Sequence, residues 1–198
     1  MIRMLKKLRK IQLYTTEKGR KLRAFEVRKR TGADLVINGS LFDYGSWRPL
    51  CDVKAGGRVL SDDPYEYRGL AWNRGDDHFT VALTKEMGAW ENFLSCVFLI
   101  HEGRALPFSV DGAVGRRAAR TAVFETKQGE TGVLCTKEAL SPRELQRRLL
   151  ERGDVSWALM LDGGGSVQLS QEGPFLAHTP VSRYAALCSR KFIATIKN

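Results

Sequence analysis

The run Met160-Leu161-Asp162-Gly163-Gly164-Gly165-Ser166-Val167-Gln168-Leu169 constrains this chain more than any other stretch. Trp157, Ala158 and Leu159 precede it as the apolar run of a buried strand. Val167 and Leu169 follow, alternating with polar neighbours as in a half-buried strand. One strand must end and another begin across a carboxylate, three glycines and a hydroxyl. Successive glycines are costly to order and pack nothing. A turn needs only one or two of them, so the third favours close approach of something to the backbone. That arrangement puts Asp162 at the mouth of a strand, facing the gap. A plain glycine-rich turn, with Asp162 as a turn residue, is the alternative.

A chain of 198 residues suits one domain, or one domain with a small extension, and can bury a full core. Hydrophobic content of 43% and charged content of 27% fit a soluble globular protein. No apolar run approaches the roughly 18 residues of a membrane span. The formal charge of +10 is unevenly placed, because residues 1–30 hold twelve Lys or Arg against two Glu. The remainder, 31–198, balances twenty basic against twenty acidic residues. The chain therefore divides into a basic strand/helix extension, 1–30, and a neutral domain, 31–198. Met1 to Lys10 carries the charge of a signal peptide without its apolar stretch or cleavage site. The expected location is the cytoplasm. The four cysteines, at 51, 96, 135 and 188, form no C-x-x-C pair, and there are three histidines. That disfavours a zinc site. Cys96 and Cys135 lie in apolar runs and read as reduced core residues.

Along the chain, Ile11–Thr16 reads as a first strand and Lys21–Arg30 as a basic helix ended by Thr31-Gly32, with Leu22, Phe25 and Lys29 on one side. Ala33–Ile37 is a short buried strand, and Cys51–Leu60 a hairpin turning at Gly56-Gly57-Arg58. Leu70–Trp72 and Phe79–Leu83 are further strands. Phe93–Ile100 reads as one continuous apolar strand turned by His101–Arg104. Val123 and its neighbours pair with Gly132–Cys135 around the turn at 126–130. Ser141-Pro142-Arg143-Glu144 starts a helix: Ser141 caps it, Pro142 is first, and Glu144 completes the capping box. Leu145 and Leu149 form its buried stripe and Gly153 ends it. A loop at 174–180, a segment at 181–187 and a closing strand at Phe192–Ile196 complete the chain. Many short strands with one or two helices indicate an α+β fold with a mostly antiparallel or mixed sheet.

Two other stretches carry chemistry. Ile37-Asn38-Gly39-Ser40-Leu41-Phe42-Asp43 ends a strand with an amide that both donates and accepts, suited to holding hydroxyls. Turn chemistry explains Asn38 equally well. Arg116, Arg117 and Arg120 lead into an apolar strand. Guanidinium forks match phosphate oxygens, and Arg120, at the strand itself, is the better anion holder. Arg116 and Arg117 read as surface arginines.

Ile37–Asp43, then Arg120-Thr121-Ala122-Val123, then Leu161-Asp162-Gly163-Gly164-Gly165-Ser166 occur in that order. The ordered trio resembles the phosphodiester glycosidase family over roughly residues 33–196. Leu41 stands where that family usually has Phe, and Phe124 where it often has Gly. The resemblance implies hydrolysis of the glycosidic bond of a sugar-1-phosphodiester, giving free sugar and a phosphomonoester. It implies Asp162 as the carboxylate near the anomeric carbon and Arg120 as the phosphate holder. It gives Asn38, Gly39, Asp43 and Thr121 to the substrate, with N–H groups of Gly163, Gly164 and Gly165 and the Ser166 hydroxyl. Arg183 matches a late family arginine, which makes it a second anion contact or, equally, a plain surface arginine. A second carboxylate is open among Asp43, Asp111 and Glu125; His178 is a candidate proton carrier, though a plain loop histidine is the simpler reading. The substrate is then a small sugar phosphodiester or a nucleotide-sugar, and no cofactor or metal is called for.

Two readings compete. One is a non-catalytic binder of sugar phosphates or nucleotides. The other is a nucleic-acid-associated protein acting through residues 1–30, whose clustered cations would release counterions from a phosphate backbone. A solvated charged face is the simpler account of that stretch.

Overall fold

The computed structural model describes residues 2–5, 11–15, 22–43, 45–46, 48–62, 64–110, 112–171 and 191–196. The loop and segment expected at 174–187 lie outside them. The elements in chain order are β1 (Ile2–Leu5), β2 (Ile11–Thr15), α1 (Ala24–Thr31), β3 (Ala33–Asn38), β4 (Val53–Ala55), β5 (Arg58–Ser61), β6 (Arg68–Trp72), β7 (Thr80–Leu83), β8 (Asn92–Ser95), β9 (Val97–His101), β10 (Arg104–Ala105), α2 (Gly112–Gly115), β11 (Thr121–Thr126), β12 (Thr131–Cys135), α3 (Pro142–Leu150), β13 (Val155–Met160), β14 (Leu169–Gln171) and β15 (Lys191–Ile196). Short 3-10 turns cover Thr84–Ala89 and Gly164–Ser166. The strands form three sheets, in the orders β1-β12-β11-β13-β9-β10, β14-β3-β15-β2 and β5-β4-β8-β6-β7. Their ladders are antiparallel. This is the α+β, mostly antiparallel architecture that the short strands and few helices predict.

Side-chain alternation along the strands explains the layering. Leu13, Ile37, Leu70, Leu94, Val123 and Leu159, drawn from all three sheets, turn into one shared core. Their neighbours turn outward and are covered separately. Ala122, Phe124, Ala158 and Met160 meet Leu145 and Leu149 of α3. Val36 meets Ala24 and Val27 of α1. Ala71 and Phe93 meet Met87 of the first 3-10 turn. Each sheet thus has one face on the common core and one under a helix. The described strands of the basic first stretch join this framework: β1 pairs with β12, and β2 with β15. None of the described helices is long and apolar enough to cross a membrane.

Three expectations need correction. The apolar run at 93–100 is not one strand. It breaks at Cys96, with β8 in the five-stranded sheet and β9 in the six-stranded one. Leu94, Cys96 and Phe98 keep their alternation into the shared core across the break, so periodicity alone could not show it. The helix α1 starts at Ala24, later than expected, so Leu22 is buried just before it, while Phe25 is 37% exposed with the Lys29 ammonium 5.9 Å from its ring centre. Small Ala24 and Val27 seat the helix on the sheet instead. Gln168, expected on the polar side of a half-buried strand, is as buried as Val167, each 5% exposed.

The cap of α3 follows the sequence pattern. Glu144 N–H donates to the Ser141 hydroxyl at 3.3 Å, and Ser141 N–H donates to the Glu144 carboxylate at 2.7 Å. Arg117 pairs with Glu144 from outside. Ser141→Ala is expected to cost about 1 kcal/mol, lowering Tm by about 2–4 °C for a chain of this size, as a thermal melt will show.

Candidate active site

Three strand ends from two sheets converge. β11 begins at Thr121 beside the end of β13, and Leu161 N–H donates to Thr121 O at 2.8 Å. β3, in the other sheet, arrives with Asn38. The Asn38 side chain is wholly buried and links all three. Its Nδ2 donates to the Asp162 carbonyl at 2.8 Å. Its Oδ1 accepts from the Thr121 hydroxyl at 2.7 Å and from Gln168 N–H at 3.1 Å. Asp162 N–H completes the join by donating to Gly39 O at 3.0 Å. The order of the three sequence motifs therefore becomes one spatial cluster. Within it, the amide of Asn38 is committed to protein partners.

Asp162 stands at the end of the strand, partly buried, with Gly163 N–H donating to its Oδ1 at 2.8 Å. Burial raises its pKa to about 6, against the opposing pull of Ser166, Gly163 N–H and the Arg120 charge. A carboxylate held this way is ionised at neutral pH yet poorly solvated, the condition expected of a group that stabilises a developing cation.

The close approach predicted from the glycines is real, and the chain itself makes it. A Cβ on Gly163 would lie 2.8 Å from Ala119 O and 3.1 Å from Arg120 Nη1. Gly164 adopts φ +58°, a left-handed conformation that favours glycine, and its N–H donates to Ala119 O at 2.8 Å. Gly163 and Gly164 thus spend their N–H groups on Asp162 and Ala119. Among the described residues Gly165 N–H meets no acceptor. Ser166 is 3% exposed and holds the 3-10 turn through its N–H to Gly163 O at 3.1 Å.

Arg120 is 2% exposed. Its Nε donates to Leu140 O at 2.8 Å, and its Nη2 to Val114 O at 2.9 Å and to Arg116 O. Burial lowers its pKa, and the charge of Asp162 works against that. The guanidinium clamps the 112–119 loop and sets a positive charge behind the glycines. Thr121 is buried between Asn38 and Cys135, whose thiol burial pushes up to about 11.

The remaining candidates fall elsewhere. Asp43 is exposed and caps its own turn, accepting from Ser46 N–H at 2.6 Å and the Ser46 hydroxyl at 2.7 Å, which hold its carboxyl below the usual range. Glu125 lies four residues up β11 from Thr121, about 13 Å away at about 3.3 Å per residue. Trp157 Nε1 donates to it at 3.0 Å, and burial raises its pKa. Arg183, Asp111 and His178 lie outside the described residues. No three of His, Cys, Asp or Glu converge as metal ligands among the described residues.

Sequence reasoning missed Gln168. Its backbone is bonded to Asn38 in both directions, and its Oε1 accepts from Ala24 N–H at 2.8 Å, tying the start of α1 to the site. A polar residue between Val167 and Leu169 looks the same whether it faces water or a buried helix end.

The family model described as phosphodiester glycosidase matches residues 31–191. A search of the curated proteins finds no match. Among solved structures, the catalytic domain of zebrafish N-acetylglucosamine-1-phosphodiester alpha-N-acetylglucosaminidase, auto-inhibited by its pro-peptide, is similar with a TM-score of 0.68 at 14% identity, over 96% of this chain and 73% of that one. A hypothetical protein from Synechocystis is similar with a TM-score of 0.74 at 15% identity, over 96% of this chain and 57% of that one. At these identities the structural likeness speaks for the fold. With most of its length matched by the family's own pattern, the chain belongs to the phosphodiester glycosidase family.

Proposed function

We propose that this protein hydrolyses the bond between the anomeric carbon and the bridging oxygen of a sugar-1-phosphodiester, releasing free sugar and a phosphomonoester. The observation that carries the reading is Asp162, a desolvated carboxylate at a strand mouth, with the buried cation Arg120 behind the adjoining glycines. The leaving phosphate is a weak base, so little general-acid help is needed. The demand falls on stabilising the oxocarbenium-like carbon, which Asp162 meets as nucleophile, electrostatic partner or base for water. Arg120 acts as a fixed positive charge and as the clamp that shapes the glycine loop. Gly165 N–H is a donor left for a substrate oxygen. Asn38, Thr121 and Gln168 position Asp162 rather than touch the sugar.

The test is the site of cleavage. With the methyl diester of N-acetylglucosamine 1-phosphate in ¹⁸O-labelled water, equal amounts of free sugar and methyl phosphate are expected, with the label in the sugar. Release of sugar 1-phosphate, or label in the phosphate, would mean attack at phosphorus and overturn the reading.

A further inference from the structure

A phosphodiester brings a full negative charge. Nε and Nη2 of Arg120 are spent on Leu140, Val114 and Arg116 carbonyls, which leaves only Nη1, set against the glycine loop in a side chain that is 2% exposed. The loop those bonds hold carries two more arginines. Arg117 is paired with Glu144. Arg116 is exposed and makes no side-chain hydrogen bond or ion pair among the described residues. Its backbone, in contrast, is fixed. Arg116 O accepts from Arg120 Nη2, while Nη1 of the same guanidinium lies 3.1 Å from where a Gly163 Cβ would be. One guanidinium therefore bridges Arg116 to the glycine loop, placing its carbonyl within about 10 Å of Gly163 on hydrogen-bond and guanidinium dimensions. The loop is held further on. Ala118 and Leu140 exchange both backbone hydrogen bonds, and Ala119 O accepts from Gly164 N–H at 2.8 Å. Gly115 is pinned too, since a Cβ there would meet Val110 O at 2.8 Å.

A long cationic side chain on an anchored backbone, without an internal partner and about 10 Å or less from the glycine loop, is suited to gripping an anion that extends out of the site toward it. We propose that Arg116 is the cation that meets the phosphoryl oxygens of the substrate, so that Arg120 holds the loop and Arg116 holds the ligand. This rests on the glycosidase reading for its choice of ligand. It also gives Arg116, which the sequence alone placed on the surface, a role in telling charged from neutral leaving groups. The bidentate fork of arginine fits two phosphate oxygens better than the point charge of lysine.

The experiment pairs kinetics with binding. Arg116→Ala, Arg116→Lys and the neighbouring control Arg117→Ala are compared on the methyl diester and on the uncharged 4-nitrophenyl glycoside of the same sugar. The expected result is a 10- to 100-fold loss of kcat/KM on the diester for Arg116→Ala, mostly in KM, on the scale of a lost charge-assisted hydrogen bond pair. The neutral glycoside should change less than twofold, Arg116→Lys should recover part of the loss, and Arg117→Ala should match wild type on both. Equal losses on both substrates, or no loss on the diester, overturn the proposal. Calorimetric binding of the diester to Asp162→Asn, with and without Arg116→Ala, separates the two readings. Binding that weakens at least tenfold without any wild-type hydrolysis keeps Arg116 as the anion contact while the glycosidase reading fails. Hydrolysis by wild type with binding indifferent to Arg116 does the reverse.

Discussion

Asp162→Asn is expected to lower diester hydrolysis by about 10³- to 10⁵-fold, the range seen when a carboxylate is taken from a catalytic set, while making the protein more stable. Both effects come from the same cause. The folded protein holds Asp162 at a pKa of about 6, against an ordinary 3.8, because burial disfavours the charge. A raised carboxylate pKa means that the folded state binds the proton more tightly than the unfolded one. The stability this lends is fully present below about pH 4 and is lost as pH rises through about 6. At neutral pH the buried charge then costs about 3 kcal/mol relative to an unshifted carboxyl, at about 1.4 kcal/mol per pH unit. Asparagine keeps the shape without the charge, and loses part of that gain through the weaker acceptor it offers Gly163 N–H. A net stabilisation of about 1–3 kcal/mol at pH 7, vanishing near pH 4, is the expected outcome of denaturant titrations at the two pH values. Activity should run oppositely in wild type: kcat/KM falls about tenfold per unit below pH 6 as the carboxylate is protonated. A variant that keeps a tenth of wild-type turnover, or that is destabilised at pH 7, removes Asp162 from the role given to it.

Much of this architecture is legible in the sequence because it is written locally. Ser141, Pro142 and Glu144 mark a helix start whatever surrounds them, and the period-two pattern of Ala122–Phe124 or Leu35–Ile37 marks strands with two different faces. The cluster of Asn38, Arg120 and Asp162 was legible as three ordered motifs, but the job of each side chain was not. An Asn before a Gly looks the same whether its amide awaits a ligand or clasps a hydroxyl, an N–H and a carbonyl from distant segments. An arginine at the start of a strand looks the same whether it faces solvent or three carbonyls brought to it by a loop and a turn. Glycine spacing predicts close approach without saying whose backbone approaches, and here Ala119 O is the answer. The break at Cys96 is hidden for the complementary reason. Both halves of the run obey one alternation while belonging to different sheets. What escapes the sequence is long-range partnership.

Asn38 is the sharpest case, and its two substitutions separate positioning from electrostatics. Asn38→Ala removes the partners of the Thr121 hydroxyl, Gln168 N–H and the Asp162 carbonyl in a space closed to water. At about 1–3 kcal/mol for each polar group left unpaired, with partial relaxation, the expected cost is about 3–4 kcal/mol, or a Tm lower by roughly 10 °C. Activity at a temperature where the variant is still folded should fall further than the folded fraction does, because the backbone of Asp162 has lost its side-chain tether to β3. Asn38→Asp is the more telling change. A carboxylate can still accept from Thr121 and Gln168, but it cannot donate to the Asp162 carbonyl, and it sets a second negative charge close to Asp162. Like charge disfavours ionisation, so the acid limb of the kcat/KM profile should move up from about pH 6 by one unit or more, beyond any loss in the plateau. If the plateau falls and the limb stays where it is in wild type, the group titrating near pH 6 is not Asp162. If neither the limb nor the plateau moves, the clasp does not govern the carboxylate at all.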